Sequence, residues 1–313
     1  MTKVFIDGKA GTTGLKIFDR LSAREDVEIL TLSEELRKDT EARREMLNKA
    51  DVAFLCLPDA AAIEAVSLID NPNTVVIDTS TAHRTNPDWA YGFAELSQEH
   101  FDKIKSSKRI AVPGCHASGF IALVYPLVKN GIISENVLLS CFSLTGYSGG
   151  GKQMIADYED DDRSFELSSP RQYATPQKHK HIPEMTKVTG VKNAPVFCPV
   201  VGDFYSGMQV TVPLHKSQLG DGFTIESIKD IYAQMYNDSV VSYVEKMDET
   251  GFVSSNAFTG FDNMQVTVEG NEDRILLIAR YDNLGKGASG AAVECMNIAL
   301  GLSKTTSLSI KEV

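Results

Sequence analysis

The chain has 313 residues, 42% of them hydrophobic and 23% charged, enough for one large or two medium cores and without a Pro/Gly/Ser tract that would suggest disorder. A net charge of −11 disfavours nucleic acid and anionic membranes as partners, so an anionic ligand needs a local basic site. Five cysteines (56, 115, 141, 198 and 295), odd in number and without a CxxC pair, argue against a disulfide framework and a zinc cluster.

"KVFID" opens the chain as a strand, with no charged-then-apolar leader, and no apolar run approaches the roughly 18–20 residues of a membrane span, so a cytoplasmic protein is expected. The first 110 residues then alternate. "GLKIFDRLSA", "EARREMLNKA" and "DAAAIEAVSLI" read as helices between the strands "VEILTL", "DVAFLCLP" and "TVVIDTS", and "RIAVPG" closes the series. Apolar strands separated by helices imply a parallel sheet covered on both faces, a doubly wound (Rossmann-type) α/β domain. After Cys115 the pattern changes. The helix "SGFIALVYPLVKNG" leads into the strands "VLLSCFSLTGYS", "GMQVTVPL", "NMQVTVEG" and "RILLIARYDN", with "IESIKDIYAQMYND" as an amphipathic helix. "QVTV" occurs at 209–212 and 265–268, and its alternation predicts strands with one covered face. The expected division is 1–114 with a returning segment 285–313, and 115–284 as an α+β domain on a mixed or antiparallel sheet.

Six stretches carry chemistry. "GKAGTTG" follows the first strand and places Gly8, Gly11 and Gly14 before a helix. This suits a dinucleotide pyrophosphate, or else a tight βα turn without ligand. The second strand runs into Ser33, Glu34, Glu35, Leu36, Arg37 and Lys38, where a hydroxyl and two cations suit a ribose 2′-phosphate, or else form a solvated helix start. "VPGCHASG" sets Cys115 behind a Pro-Gly break at a helix N-terminus, where the dipole favours a thiolate. Cys56 and Cys141 read as core, Cys295 as packing, and Cys198 between prolines has no evident role. "QKHKHIPE" concentrates His179 and His181 with Glu184, as acid/base and orienting groups or as a solvated basic loop. Third and fourth metal ligands are missing at suitable spacing, so no metal is expected. Arg84 in "TSTAHRT" and Lys152 after the glycines of "GYSGGGK" are candidate anion contacts, the latter without Walker A spacing.

In this order, the Gly8/Gly11/Gly14 loop, "STAHR", Pro113-Gly114-Cys115, "GYSGGGK", "HKHIPE" and "NLGKGASGAAV" resemble the N-acetyl-γ-glutamyl-phosphate reductases of arginine biosynthesis, in their shorter form. Aspartate-semialdehyde dehydrogenases are broader relatives. The resemblance implies NADP(H)-dependent reduction of an acyl phosphate, with 1–114 and 285–313 as the cofactor domain and 115–284 as a catalytic and oligomerisation domain of a homodimer or homotetramer. It implies Cys115 as nucleophile, His179 and His181 as catalytic groups, and Arg84, Ser148, Gly149, Lys152 and Glu184 at the substrate. It also implies Gly8, Gly11, Thr12, Thr13, Gly14, Ser33, Arg37, Asn283 and Lys286 at the cofactor. Val112 and His116 depart from the Asn-Pro-Gly-Cys-Tyr of the longer enzymes, as does His83, where they carry Asp. Competing readings are aspartate-semialdehyde dehydrogenase, a cofactor-free Cys/His acyltransferase or hydrolase, and a dinucleotide-sensing regulator.

Overall fold

The structure is a computed structural model that describes residues 1–248 and 251–312. It divides into two compact units, Met1–Pro113 with Ala288–Leu308, and Gly114–Gly287 with the segment from Ser309 on.

The first unit alternates β1 (Thr2–Asp7), α1 (Thr12–Ser22), β2 (Val27–Leu30), α2 (Thr40–Lys49), β3 (Val52–Leu55), α3 (Asp59–Ser67), β4 (Val75–Asp78), β5 (Ala90–Tyr91), α4 (Gln98–Ser106) and β6 (Arg109–Ala111). The sheet order is β2-β1-β3-β4-β6-β5 and every pairing is parallel. Side chains alternate across a strand, so β1 serves two cores. Val4 and Ile6 pack with Ile17 and Leu21 of α1, while Phe5 packs with Leu47 of α2 and with Ala62 and Ala65 of α3. The sequence pattern missed β5 and α4. The first is two residues long, and "QEHFDKIKS" buries only Ile104, leaving almost no apolar periodicity to read.

A later helix, which the second unit precedes in the chain, completes the first core through Ala291, Ala292, Val293 and Met296. Its Asn297 accepts Arg24 Nη1 at 2.8 Å and donates to the carbonyls of Lys304 and Thr306. Beyond it the tail leaves this unit. Ser309 N donates to Asp262 Oδ2 (2.9 Å) and Lys311 N to Asn263 Oδ1 (3.0 Å), both in the second unit.

That second unit contains α5 (Cys115–Lys129), β7 (Ser140–Gly146), α6 (Gly151–Glu159), β8 (Arg171–Gln172), α7 (Ile182–Thr189), β9 (Val196–Gly202), β10 (Met208–His215), α8 (Ile225–Met235), β11 (Val241–Tyr243), β12 (Met264–Gly270) and β13 (Arg274–Tyr281). The helix that returns to the first unit is α9 (Gly290–Ala299). The sheet is mixed, in the order β11-β12-β13-β10-β7-β9-β8, with β7/β9 and β11/β12 parallel and the other pairs antiparallel. The two QVTV segments flank β13 in one register, Val210 and Val266 both opposite Ala279. β10 alternates in burial as expected, whereas β12 is buried on both faces from Met264 to Val268. The physical reason is Arg280, which pairs with Asp248 and donates to Gln265 Oε1 and Met247 O, covering the outer face there.

α5 is buried along most of its length and carries Pro126 in its interior. Proline has no N–H, so the Ala122 carbonyl loses its helical donor, and the Tyr236 hydroxyl supplies the bond at 2.7 Å. Among the described residues no helix is long and apolar enough to cross a membrane.

Candidate active site

The glycine loop of the first unit is built by close approach. Gly8 has φ +85°, and a Cβ there would strike the Cys56 carbonyl; a Cβ on Gly14 would lie 2.6 Å from the Gly8 carbonyl. Gly11 N donates to Gly8 O at 2.9 Å and caps α1 without a side-chain bond, so Thr12 and Thr13 open the helix with uncapped N–H groups. Beneath the loop Asp7 is buried, accepting Arg43 Nε and Nη2 at 3.1 and 3.0 Å, while Arg43 Nη1 reaches Glu64. Cys56 is part of this packing, its thiol pushed up to about 12 by burial. Ser33 and Arg37 lie in the exposed turn after β2, with Arg37 paired to Glu34 at 3.1 Å.

Arg84 is buried at the carboxyl edge of the same sheet. Its Nε donates to Val112 O and its Nη2 to Thr79 O, each at 2.9 Å, which fixes the guanidinium plane. His83 beside it bonds Asp78 through Nδ1 (2.7 Å) and stacks on Trp89 with centroids 4.0 Å apart.

In the second unit Cys115 is the first residue of α5, and Gly114 caps the helix without a side-chain bond. Three contacts set its backbone. Glu184, in the first turn of α7 and expected at the substrate, is buried and accepts the Gly114 N–H at 3.1 Å. Tyr281 enters the first turn of α5: its hydroxyl accepts from Gly119 N at 2.9 Å and donates to Cys115 O at 2.5 Å, replacing one i→i−4 bond. Gly119 is required there, since a Cβ would lie 2.7 Å from that hydroxyl. Gly287 presses from the other side, with room for a Cβ only 3.1 Å from that of Cys115. Tyr281→Phe is expected to lower kcat about tenfold and stability by about 2 kcal/mol, because two buried backbone groups lose their partner and the turn carrying the thiol re-forms. Steady-state kinetics and urea denaturation check both.

Three imidazoles meet at His116, the residue after Cys115. His116 lies 5.4 Å from His179 and 5.6 Å from His181 between ring centroids, His179 and His181 are 4.6 Å apart, and Phe197 closes the group. The histidine segment is therefore no free basic loop. Gln177 exchanges two hydrogen bonds with the Phe197 backbone, at 2.7 and 2.8 Å, and ties the segment to β9. His181 N donates to His179 Nδ1 at 3.1 Å, which leaves the proton of a neutral His179 on Nε2. Burial, then the His179 charge, holds His116 down to about 3, so it is neutral. Among the described residues no group of three or more His, Cys, Asp or Glu is arranged to hold a metal ion.

Ser148, Gly149 and Asn283 come together. Asn283 Nδ2 donates to Ser148 Oγ (3.0 Å), its Oδ1 accepts from Gly207 N (2.9 Å), and a Gly149 Cβ would lie 3.3 Å from its amide. Asp282 shapes the following turn by accepting Gly260 N and Leu284 N, and Lys286 is buried in it. Lys152 is exposed on α6 and no contact brings it to the cysteine.

Residues 3–104 match the semialdehyde dehydrogenase NAD binding domain and residues 115–283 the semialdehyde dehydrogenase dimerisation domain. The N-acetyl-gamma-glutamyl-phosphate reductase of Rhizobium etli is 45% identical over 305 residues, 95% of this chain and 98% of that protein. The chain belongs to the N-acetyl-gamma-glutamyl-phosphate reductase family. The enzymes of that name from Sinorhizobium fredii and Rhizobium meliloti are each 43% identical, with the same coverage of this chain and of their own. Among solved structures, aspartate semialdehyde dehydrogenase II of Vibrio cholerae superposes with a TM-score of 0.71 at 16% identity, covering 96% of this chain and 98% of that one. The aspartate semialdehyde dehydrogenase of Francisella tularensis gives 0.71 at 15% identity, over 95% and 99%. These likenesses show the fold.

Family motifs and fold together leave four residues that the sequence reading passed over: Ser143, Tyr173, Tyr281 and Gly287. Tyr173 lies six residues before His179, outside the histidine segment, and Ser143, Tyr281 and Gly287 sit inside strands or a glycine-rich turn; none carries a local cue.

Proposed function

We propose that this chain reduces N-acetyl-γ-glutamyl phosphate to N-acetylglutamate semialdehyde and phosphate, with NADPH as reductant, through a thioester on Cys115. The observation that carries the reading is the thiol at the start of α5, braced at Gly114 and at its own carbonyl, with His179 and His181 packed on the adjacent His116. The α5 dipole and the N–H groups of its first turn favour the thiolate. The thiolate attacks the acyl carbon, the bond from that carbon to the bridging oxygen breaks, and phosphate leaves with the oxygen. Reduced nicotinamide, when bound, supplies the hydride for the thioester carbon. Collapse of the resulting oxyanion re-forms C=O, breaks C–S and restores the thiolate. One imidazole of the His179–His181 pair takes the thiol proton at the outset, and the pair holds the oxyanion as it forms. Arg84, fixed by two backbone carbonyls, and the Ser148–Gly149 backbone are the groups assigned to substrate anions, with the exposed Lys152 as an outer cation.

The loop geometry supports a dinucleotide, since Gly8 and Gly14 let the loop pack tightly on its own backbone and bring the N-terminus of α1, with its N–H groups and dipole, to the carboxyl edge of the sheet where a pyrophosphate binds. For the 2′-phosphate we assign Ser33 and Arg37. The Arg37–Glu34 pair is exposed and worth less than about 1 kcal/mol, so Arg37 exchanges partners readily. Arg37→Ala is expected to raise KM for NADPH about tenfold while leaving KM for NADH unchanged, a comparison made by initial rates.

The dimerisation-domain match supports a homo-oligomer. We place its contact on the outer sheet face, where Phe142, Val196 and Leu276 are 51%, 56% and 40% exposed. Phe142→Glu is expected to halve the solution mass seen by light scattering.

The functional assay is phosphate-dependent NADP reduction with N-acetylglutamate semialdehyde, beside the unacetylated and aspartate aldehydes. Preference for the acetylated compound supports the reading; no signal above background with it defeats the substrate assignment.

A further inference from the structure

His116 follows the nucleophile directly, and the catalytic scheme gives it no task. It is buried, and hydroxyl groups hold both ring nitrogens, Ser143 Oγ at Nδ1 (2.7 Å) and Tyr173 Oη at Nε2 (2.5 Å). A neutral imidazole offers one donor and one acceptor, so this chain of three groups has two possible directions.

The surroundings select one. Tyr173 packs beside His179 and against the cluster of Tyr158, Leu167 and Val201, and a thiolate at Cys115 adds to burial in opposing ionisation of its phenol. The same charge orients the O–H dipole, hydrogen towards the thiolate and oxygen away from it. Oη then faces His116 as acceptor, Nε2 carries the imidazole proton, and Nδ1 accepts from Ser143. The N-terminal turn of α5 also disfavours a cation at His116.

We propose that Ser143, His116 and Tyr173 form a one-way hydrogen-bond relay, with His116 fixed as its Nε2–H tautomer, that aims the Tyr173 hydroxyl as a permanent donor at the negative charge developing around Cys115. His116 is thus a positioning residue that acts through Tyr173. It transfers no proton and stays neutral, leaving proton transfer to His179 and His181. Aligned donors in one chain polarise one another, which strengthens the terminal bond when an oxyanion appears. The inference rests on Cys115 as the nucleophile.

Glutamine places an amide N–H near the Nε2 position, whereas asparagine reaches only the Nδ1 side. His116→Gln is therefore expected to keep kcat within about fivefold. His116→Asn, His116→Ala and Tyr173→Phe each lower it about 30-fold with KM little changed. The double variant His116→Ala/Tyr173→Phe is expected to be no slower than Tyr173→Phe alone, because both changes remove one donor. Nitrogen-15 NMR of the unaltered protein is expected to show the Nε2–H form of His116, with no titration between about pH 6 and 9. Multiplying losses in the double variant, His116→Asn as active as His116→Gln, or an Nδ1–H signal would each overturn the relay. Should the alanine and asparagine variants fail to fold, His116→Gln against Tyr173→Phe and the NMR tautomer decide. Cys115→Ser runs alongside. If it turns over, the nucleophile reading fails and takes the relay with it; if it is inactive while His116→Ala matches the unaltered protein, the relay alone fails.

Discussion

Cys115→Ser is expected to lower kcat about ten-thousand-fold while the dissociation constant for NADPH stays within about twofold. The substitution is nearly isosteric, and serine keeps the backbone contacts of Cys115 with Tyr281 and the close packing on Gly287. What changes is the nucleophile. The α5 dipole and N–H groups offer stabilisation of order 1–2 kcal/mol, useful to a thiol that ionises near neutrality and far too small to ionise an alcohol. The glycine loop belongs to the other structural unit, so the dinucleotide measurement separates loss of chemistry from loss of fold. Pre-steady-state mixing with acyl phosphate is expected to release phosphate in a burst from the unaltered protein and none from the variant. Turnover near the normal rate in the variant would refute the covalent route.

Arg43→Met is expected to destabilise the protein by about 3–5 kcal/mol, because it leaves the buried Asp7 carboxylate without the guanidinium that offsets its desolvation. Burial raises the Asp7 carboxyl above its ordinary value even with Arg43 beside it. A raised carboxyl means that the folded state holds more protons than the unfolded state between the ordinary carboxylate range and the folded value. Stability through this group therefore falls as pH rises across that window. Removing Arg43 raises Asp7 further and extends the window upward, so the variant should lose less at pH 5 than at pH 8 in urea titrations. Asp7 directly precedes Gly8, so weaker NADPH binding is expected as well. An equal loss at the two pH values would show that Asp7 is not the group left unpaired.

The first unit was legible in outline because a parallel sheet covered on both faces writes itself as apolar runs separated by helices. Its unread parts, Ala90–Tyr91 and Gln98–Ser106, are too short or too polar to bury a repeating face. In the second unit the alternation of QVTV identified two strands but misjudged the second, since coverage by Arg280 and Asp248 comes from chain distant in sequence. The strand Val196–Gly202 hid behind its prolines, yet it lies between β7 and β8, with Pro199 opposite Ser143.

For the site, sequence alone determined what geometry within four or five residues governs: a glycine loop that must approach backbone closely, a cysteine at a helix start behind Pro-Gly, and an H-x-H segment with a carboxylate three residues on. Which groups would hold these in place was decided by tertiary structure. Glu184 braces Gly114 across 70 residues, Tyr173 reaches His116 across 57, and Tyr281 enters the turn of Cys115 across 166. Each partner stands in plain view in the sequence. A hydrogen bond between side chain and backbone depends on a few tenths of an ångström and carries no periodic trace, so only the packed chain selects one tyrosine or one carboxylate among many.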